Sequence, residues 1–134
     1  MIKILLVEDS KFLRLATERA LARAGYEVTS ASDGEEGLRL ARERKPDLIL
    51  LDMLLPKMSG PDVLAALKKD PLTASIPVVV MTGMSQKNAE RLQADGAAAF
   101  LEKSSLGLET GSHKLLAALR EIVTKLSIRA RAAM

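Results

Sequence analysis

Residues 48–52 read Leu48-Ile49-Leu50-Leu51-Asp52, an unbroken apolar run closed by a carboxylate. A strand with one face in water alternates apolar and polar side chains, so a continuous apolar run indicates a strand covered on both faces, as in a parallel sheet between two helical layers. Working outward, four more short runs qualify as strands: Ile2–Val7, Glu27–Ala31, Pro77–Thr82 and Ala98–Leu101. Stretches of helical period separate them. Leu13, Thr17, Ala20, Leu21 and Ala24 form one stripe, with Lys11, Arg14, Glu18 and Arg23 on the remaining surface and Gly25 at the C′ position. Asp33 and Glu36 have the spacing of a cap opening a second helix, which runs to about Arg44 before Lys45-Pro46 breaks it. Pro61 suits the first turn of a third helix, 61–69. A fourth, 85–95, has few apolar anchors (Ala89, Leu92, Ala94) and ends at Gly96. The fifth begins near Ser112 and carries Leu115, Leu119, Ile122 and Leu126 on a stripe that Leu116 and Val123 widen. Strand and helix alternating five times predict an α/β fold, a doubly wound five-stranded parallel sheet with helices on both faces. Ligands of such folds bind beyond the carboxyl ends of the strands.

Composition narrows the chemistry. A chain of 134 residues, 48% hydrophobic, suits one domain with one core. The formal charge is +3; residues 1–101 hold 14 basic and 14 acidic side chains, so all of the excess lies in 102–134. Three aromatics, Phe12, Tyr26 and Phe100, make no platform for stacked bases, and the charge is weak for phosphate-backbone binding, so no nucleic-acid partner is expected. The absence of cysteine excludes disulfides, thiolate catalysis and thiolate-held zinc, and a single His113, expected in the exposed first turn of the last helix, excludes a multi-histidine metal site. The apolar runs are too short to span a bilayer or to form a signal-peptide core, and a cytoplasmic protein with no membrane partner is the expectation.

The strand ends carry the chemistry. Glu8-Asp9 follows the first strand, Asp52 ends the third, Thr82 the fourth, and Lys103 lies just beyond the fifth. Taken singly, each has an ordinary explanation: an aspartate at a strand end is commonly a helix cap, and a lysine is commonly solvated. Together, three carboxylates converging at a partly buried site repel one another unless a cation neutralises them, and Mg²⁺ takes such oxygen ligands. Rival phosphate-site readings fail on the same residues. There is no P-loop and no G-x-G-x-x-G, and Gly34-Glu35-Glu36-Gly37 is acidic. A flavin site needs anion-friendly donors where Glu8-Asp9 stands, and Leu54 occupies the place of the second acid of dehalogenase-type phosphatases.

Glu8-Asp9, Leu51-Asp52-Met53-Leu54-Leu55-Pro56-Lys57-Met58-Ser59-Gly60, Val80-Met81-Thr82-Gly83 and Phe100-Leu101-Glu102-Lys103 together resemble the receiver domain of bacterial two-component response regulators, over about residues 2–126. The resemblance implies a flavodoxin-like strand order of 2-1-3-4-5, a receiver domain over 1–126 and a short basic tail over 127–134. It implies that Asp52 is the phosphoacceptor, that Glu8, Asp9, Asp52 and the backbone carbonyl of Leu54 hold Mg²⁺, and that Thr82, Lys103 and the backbone N–H of Gly83 bind the phosphoryl oxygens. Phe100 matches the aromatic switch paired with Thr82. The implied protein is a stand-alone regulator that catalyses its own aspartyl phosphorylation and dephosphorylation but acts mainly as a switch. Its implied donor is a histidine kinase or phosphotransfer protein, and its implied output is contact with a downstream protein through the fourth helix, fifth strand and fifth helix, with homodimerisation left open.

Three local features depart from the family or refine the expectation. Ser104 stands where the family has a cis-linked proline; a non-proline cis bond costs about 2.5–4 kcal/mol, so either that strained form is retained or the bond is trans and Lys103 is re-aimed. That departure is the sequence argument for the alternative, a receiver-like interaction module independent of phosphorylation. Residues 104–111 form a long connection, read as a flexible insertion or a partner-specific contact. Ala97-Ala98-Ala99 with Arg120, Lys125, Arg129 and Arg131 suggests a mixed apolar and basic docking face, while bulky Leu54 and Met84 predict slow loss of the phosphoryl group.

Overall fold

The computed structural model describes residues 1–53, 55–82, 93–102 and 113–128. Its strands are β1 (Lys3–Val7), β2 (Glu27–Ala31), β3 (Leu48–Asp52), β4 (Val78–Thr82) and β5 (Ala99–Glu102); its described helices are α1 (Lys11–Arg23), α2 (Gly34–Arg44), α3 (Gly60–Lys69) and α4 (His113–Lys125), the last being the fifth helix expected from the sequence. The five strands form one sheet in the order β2-β1-β3-β4-β5, parallel throughout. This is the doubly wound, flavodoxin-like architecture the sequence predicts. The fourth predicted helix, 85–95, lies outside the described residues except at its end, where Gln93 and Ala94 are helical and Gly96 takes φ +112°.

Strand pleating divides the core. Leu5, Val7, Ile49, Leu51, Val78 and Val80 pack on one face against α2 and α3 residues such as Leu40, Val63, Leu64 and Leu67. Ile4, Leu6, Leu48, Leu50, Val79 and Met81 pack on the other against Leu21 of α1 and Leu115 and Leu119 of α4. Every residue of β3 is buried, which is why this strand reads as continuously apolar. Each such aliphatic side chain contributes about 1.5–3 kcal/mol by leaving water.

Local signals set the element ends. Ser10 is the N-cap of α1, its hydroxyl accepting from the N–H of Leu13 at 3.4 Å, and Gly25 leaves the helix at φ +97°, a conformation a Cβ disfavours. Asp33 caps α2 by accepting from the N–H of Glu36 at 2.8 Å, while the Glu36 carboxylate reaches back to the N–H of Ser32 at 3.2 Å. Ser59 caps α3 and Pro61 fills its first turn. At the far end of α3, buried Thr73 donates its hydroxyl to the carbonyl of Leu67 at 2.7 Å. After α4 the chain turns back at Ser127, φ 53°, and Ile128 packs on the same apolar cluster as Ile2 and Tyr26.

Candidate functional site

The sheet order reverses between β1 and β3: β2 lies on one side of β1, and β3 with the later strands on the other. A crevice therefore opens at the carboxyl ends of β1 and β3, because the connections leaving them depart to opposite faces. Glu8 follows β1 there. Its N–H donates to the carbonyl of Ala31 at 3.0 Å, extending the β1–β2 ladder past Val7, and the N–H of Ser10 donates to its carboxylate at 3.3 Å. Asp52 is the last residue of β3, on the pleat that follows Leu48 and Leu50, and is paired in register with Met81 of β4.

These two carboxyl groups are buried at 2% exposure each, and Asp9 is exposed beside them. One carboxylate oxygen from each of Glu8, Asp9 and Asp52 lies within 4.8 Å of the others. Ionised together at that spacing, and two of them out of water, they repel, and a small hard cation with several oxygen ligands offsets that repulsion. The donor set fits Mg²⁺ in kind: oxygens only, with an exposed acid leaving one side open to water.

The opposite wall is built by close backbone approach. The N–H of Met53 donates to the carbonyl of Met81 at 3.1 Å, and the N–H of Gly60, first residue of α3, donates to the carbonyl of Met53 at 3.1 Å. A Cβ on Gly60 would stand 2.4 Å from the Cα of Met53 and 2.8 Å from the carbonyl oxygen of Asp52, so only glycine lets α3 begin against the peptide of Asp52. Between them, Lys57 takes φ 65° and its ammonium lies 3.8 Å from the Asp33 carboxylate.

The other anticipated residues fall as follows. Thr82 ends β4, in register with Glu102 of β5, so its backbone stands at the same edge of the sheet as Asp52. Phe100 pairs with Val80, half-buried against the α2–α3 side of the core. Leu54, Gly83, Met84, Lys103, the 104–111 connection and the end of the basic tail lie outside the described residues. His113 is exposed at the start of α4. A groove of about 440 Å³ runs between β5 and α4, lined by Ala99, Leu101, Ala118, Ile122 and Lys125 among others. Among the described residues, no helix is long and apolar enough to cross a membrane.

One residue beside the site escapes a reading based on spacing. Arg14 falls on the polar side of the α1 stripe, where a cation is ordinary; in the fold, its guanidinium donates to the main-chain carbonyl of Glu8 at 3.0 Å and to that of Asp9 at 3.4 Å. Only its position in the first turn of α1 hinted at this, since helical side chains lean toward the N-terminus of their helix.

Comparison with known proteins agrees with this geometry. The chain is similar to the gliding motility regulatory protein of Myxococcus xanthus, 40% identical over 110 residues that cover 81% of this chain and 14% of that protein. The polar-differentiation response regulator DivK of Brucella anthropi is 37% identical over 101 residues, 75% of this chain and 82% of that one. The chain thus spans a small part of the first relative and most of the second. Among solved structures, the chemotaxis response regulator CheY4 of Vibrio cholerae superposes with a TM-score of 0.81 at 30% identity, covering 91% of this chain and 98% of that one. The family model for the response regulator receiver domain matches residues 4–111, a span that contains all three clustered acids, and the chain belongs to that family, the signal-receiving domains of two-component systems.

Proposed function

We propose that this receiver domain is a phosphorylation switch in which Asp52 accepts a phosphoryl group from the phosphohistidine of a kinase or phosphotransfer protein. The observation that carries the reading is the convergence of buried Glu8, buried Asp52 and exposed Asp9 at the switch point of the sheet. A carboxylate oxygen of Asp52 attacks phosphorus, the phosphorus–nitrogen bond to the donor imidazole breaks, and its electron pair stays on the ring nitrogen. The product is an acyl phosphate on Asp52 and a free histidine on the donor. Glu8, Asp9, Asp52 and the carbonyl of Leu54 would hold Mg²⁺, which supplies positive charge to the transferring phosphoryl oxygens. The backbone at the end of β4 and the first turn of α1 keep those acids in place; Thr82, Lys103 and the N–H of Gly83 are assigned to the remaining phosphoryl oxygens.

The new group adds a charge of about −1.5 to −2 and strong acceptor oxygens to a site beside β4. Movement of Thr82 toward it, with Phe100 turning inward, would alter the face made by the fourth helix, β5 and α4, where a groove of mixed apolar and charged lining, with Glu121 and Lys125 on its wall, suits a protein target. Function in the cytoplasm follows from this reading. Incubating the protein with Mg²⁺ and acetyl phosphate should add one phosphoryl mass to the wild type and none to Asp52→Asn. No gain that depends on Asp52 would instead favour a receiver-like interaction module that works without phosphorylation.

A further inference from the structure

We infer that Arg14 is a positioning residue for the cation site: it clamps the main chain between Glu8 and Asp9 so that both carboxylates are presented to Asp52. This rests on the cation-binding reading above. Three observations carry it. First, the guanidinium reaches back from the first turn of α1 and gives one nitrogen to two successive carbonyls, Glu8 at 3.0 Å and Asp9 at 3.4 Å. Those carbonyls belong to the first two of the three residues linking β1 to α1, whose carboxylate oxygens gather with that of Asp52 within 4.8 Å. With the Ala31 bond on the N–H of Glu8, both sides of this short segment are tied down.

Second, the placement opposes helix electrostatics. The first turn of a helix favours acids and disfavours cations, and α1 has no acid there; a lysine and this arginine stand in or next to that turn instead. Helix stability therefore does not account for Arg14. Third, among the described residues Arg14 makes no ion pair with a carboxylate, although three are close by in the chain and in the fold. Its hydrogen bonds go to the main-chain carbonyls of Glu8 and Asp9.

The same geometry distinguishes positioning from mere charge. A cation next to a divalent-cation site repels the ion, so if charge were all, removing Arg14 would tighten Mg²⁺ binding. A clamp predicts the opposite, since groups that orient metal ligands typically matter by 10–100-fold in affinity. The experiment titrates Mg²⁺ alone into the full chain by calorimetry for wild type, Arg14→Ala and Arg14→Lys, with thermal melts of each. Lysine keeps the charge and can donate to the carbonyls, so it separates the two effects and retains a folded reference should alanine destabilise the loop. The expected result is Mg²⁺ affinity about tenfold weaker in Arg14→Ala, with much of it restored in Arg14→Lys. Unchanged or tighter binding in Arg14→Ala overturns the clamp, even if that variant melts lower. Failure of the wild type to bind Mg²⁺ at all overturns the cation site itself, and the clamp with it.

Discussion

Replacing Asp52 by asparagine should stabilise the protein in the absence of Mg²⁺ and blunt its response to the ion. Each carboxylate of the trio lies within 4.8 Å of the others. Two unit charges at that separation repel by about 3.5 kcal/mol at an effective dielectric constant of about 20 and by about 0.9 kcal/mol in bulk water. Glu8 and Asp52 are both buried, so their repulsion belongs near the upper figure; Asp9 is exposed and its share belongs near the lower. Asparagine keeps the shape and one acceptor oxygen but weakens the interaction the carboxylate already makes and brings an NH₂ that needs a partner, which together return part of the gain. A net stabilisation of about 1–3 kcal/mol is expected, or roughly 3–10 °C in melting temperature for a domain of this size. In Mg²⁺ at about 100 times its dissociation constant, the wild type should gain about 2.7 kcal/mol, and Asp52→Asn, short of one ligand, less. Calorimetric melts of both proteins in EDTA and across a Mg²⁺ series read out the crossing directly. Should Asp52→Asn melt at or below the wild type in EDTA, the repulsion argument is refuted and Asp52 is held by favourable contacts that outweigh it.

Other perturbations test the surroundings of the site. Gly60→Ala forces a Cβ into the backbone of Met53 and Asp52, so a loss on the order of 3 kcal/mol is expected, seen as a urea midpoint about 1.5 M lower; Gly25→Ala, where nothing stands within 4 Å but φ is +97°, should cost only about 1–2 kcal/mol. Thr73→Val leaves the carbonyl of Leu67 without its buried donor and should cost about 1–3 kcal/mol by the same assay. The N–H of Leu72, and after it the Arg42 guanidinium, hold the Asp70 carboxyl below its ordinary value. The stability this confers is therefore complete above the ordinary carboxylate range and is lost as pH falls through the lowered value; Asp70→Asn should flatten that acid limb in melts taken between pH 6 and pH 2, roughly spanning the carboxylate range.

Much of this molecule could be read from the chain because its signals are local and periodic. The apolar run of β3 announces a strand buried on both faces, and Asp33 with Glu36 announces a helix start, since each depends on neighbours within a few residues. The acids were legible for a different reason: strands of a doubly wound sheet all present their carboxyl ends at one edge, so residue order alone nominates Glu8, Asp9 and Asp52. What spacing hides is the approach of segments distant along the chain. Gly60 has no unusual dihedral to reveal it; its necessity comes from the peptide of Asp52 lying against it. Arg14 looks like a solvated helix cation until the loop it folds back over is placed. The cap of α1 likewise becomes visible only in the fold: it is Ser10, and Asp9 beside it joins the acidic trio.

The pleat that sorts the core into two apolar layers has a mechanical implication. Asp52 follows the Leu48–Leu50 row toward α1 and α4, while Phe100 sits with Val80 in the layer beneath α2 and α3. A disturbance at the acid and one at the aromatic ring thus begin on opposite sides of a hydrogen-bonded partition. What the two share is the peptide framework of β4, which borders β3 on one side and β5 on the other. That strand stands between the two compartments, paired in register with both of its neighbours.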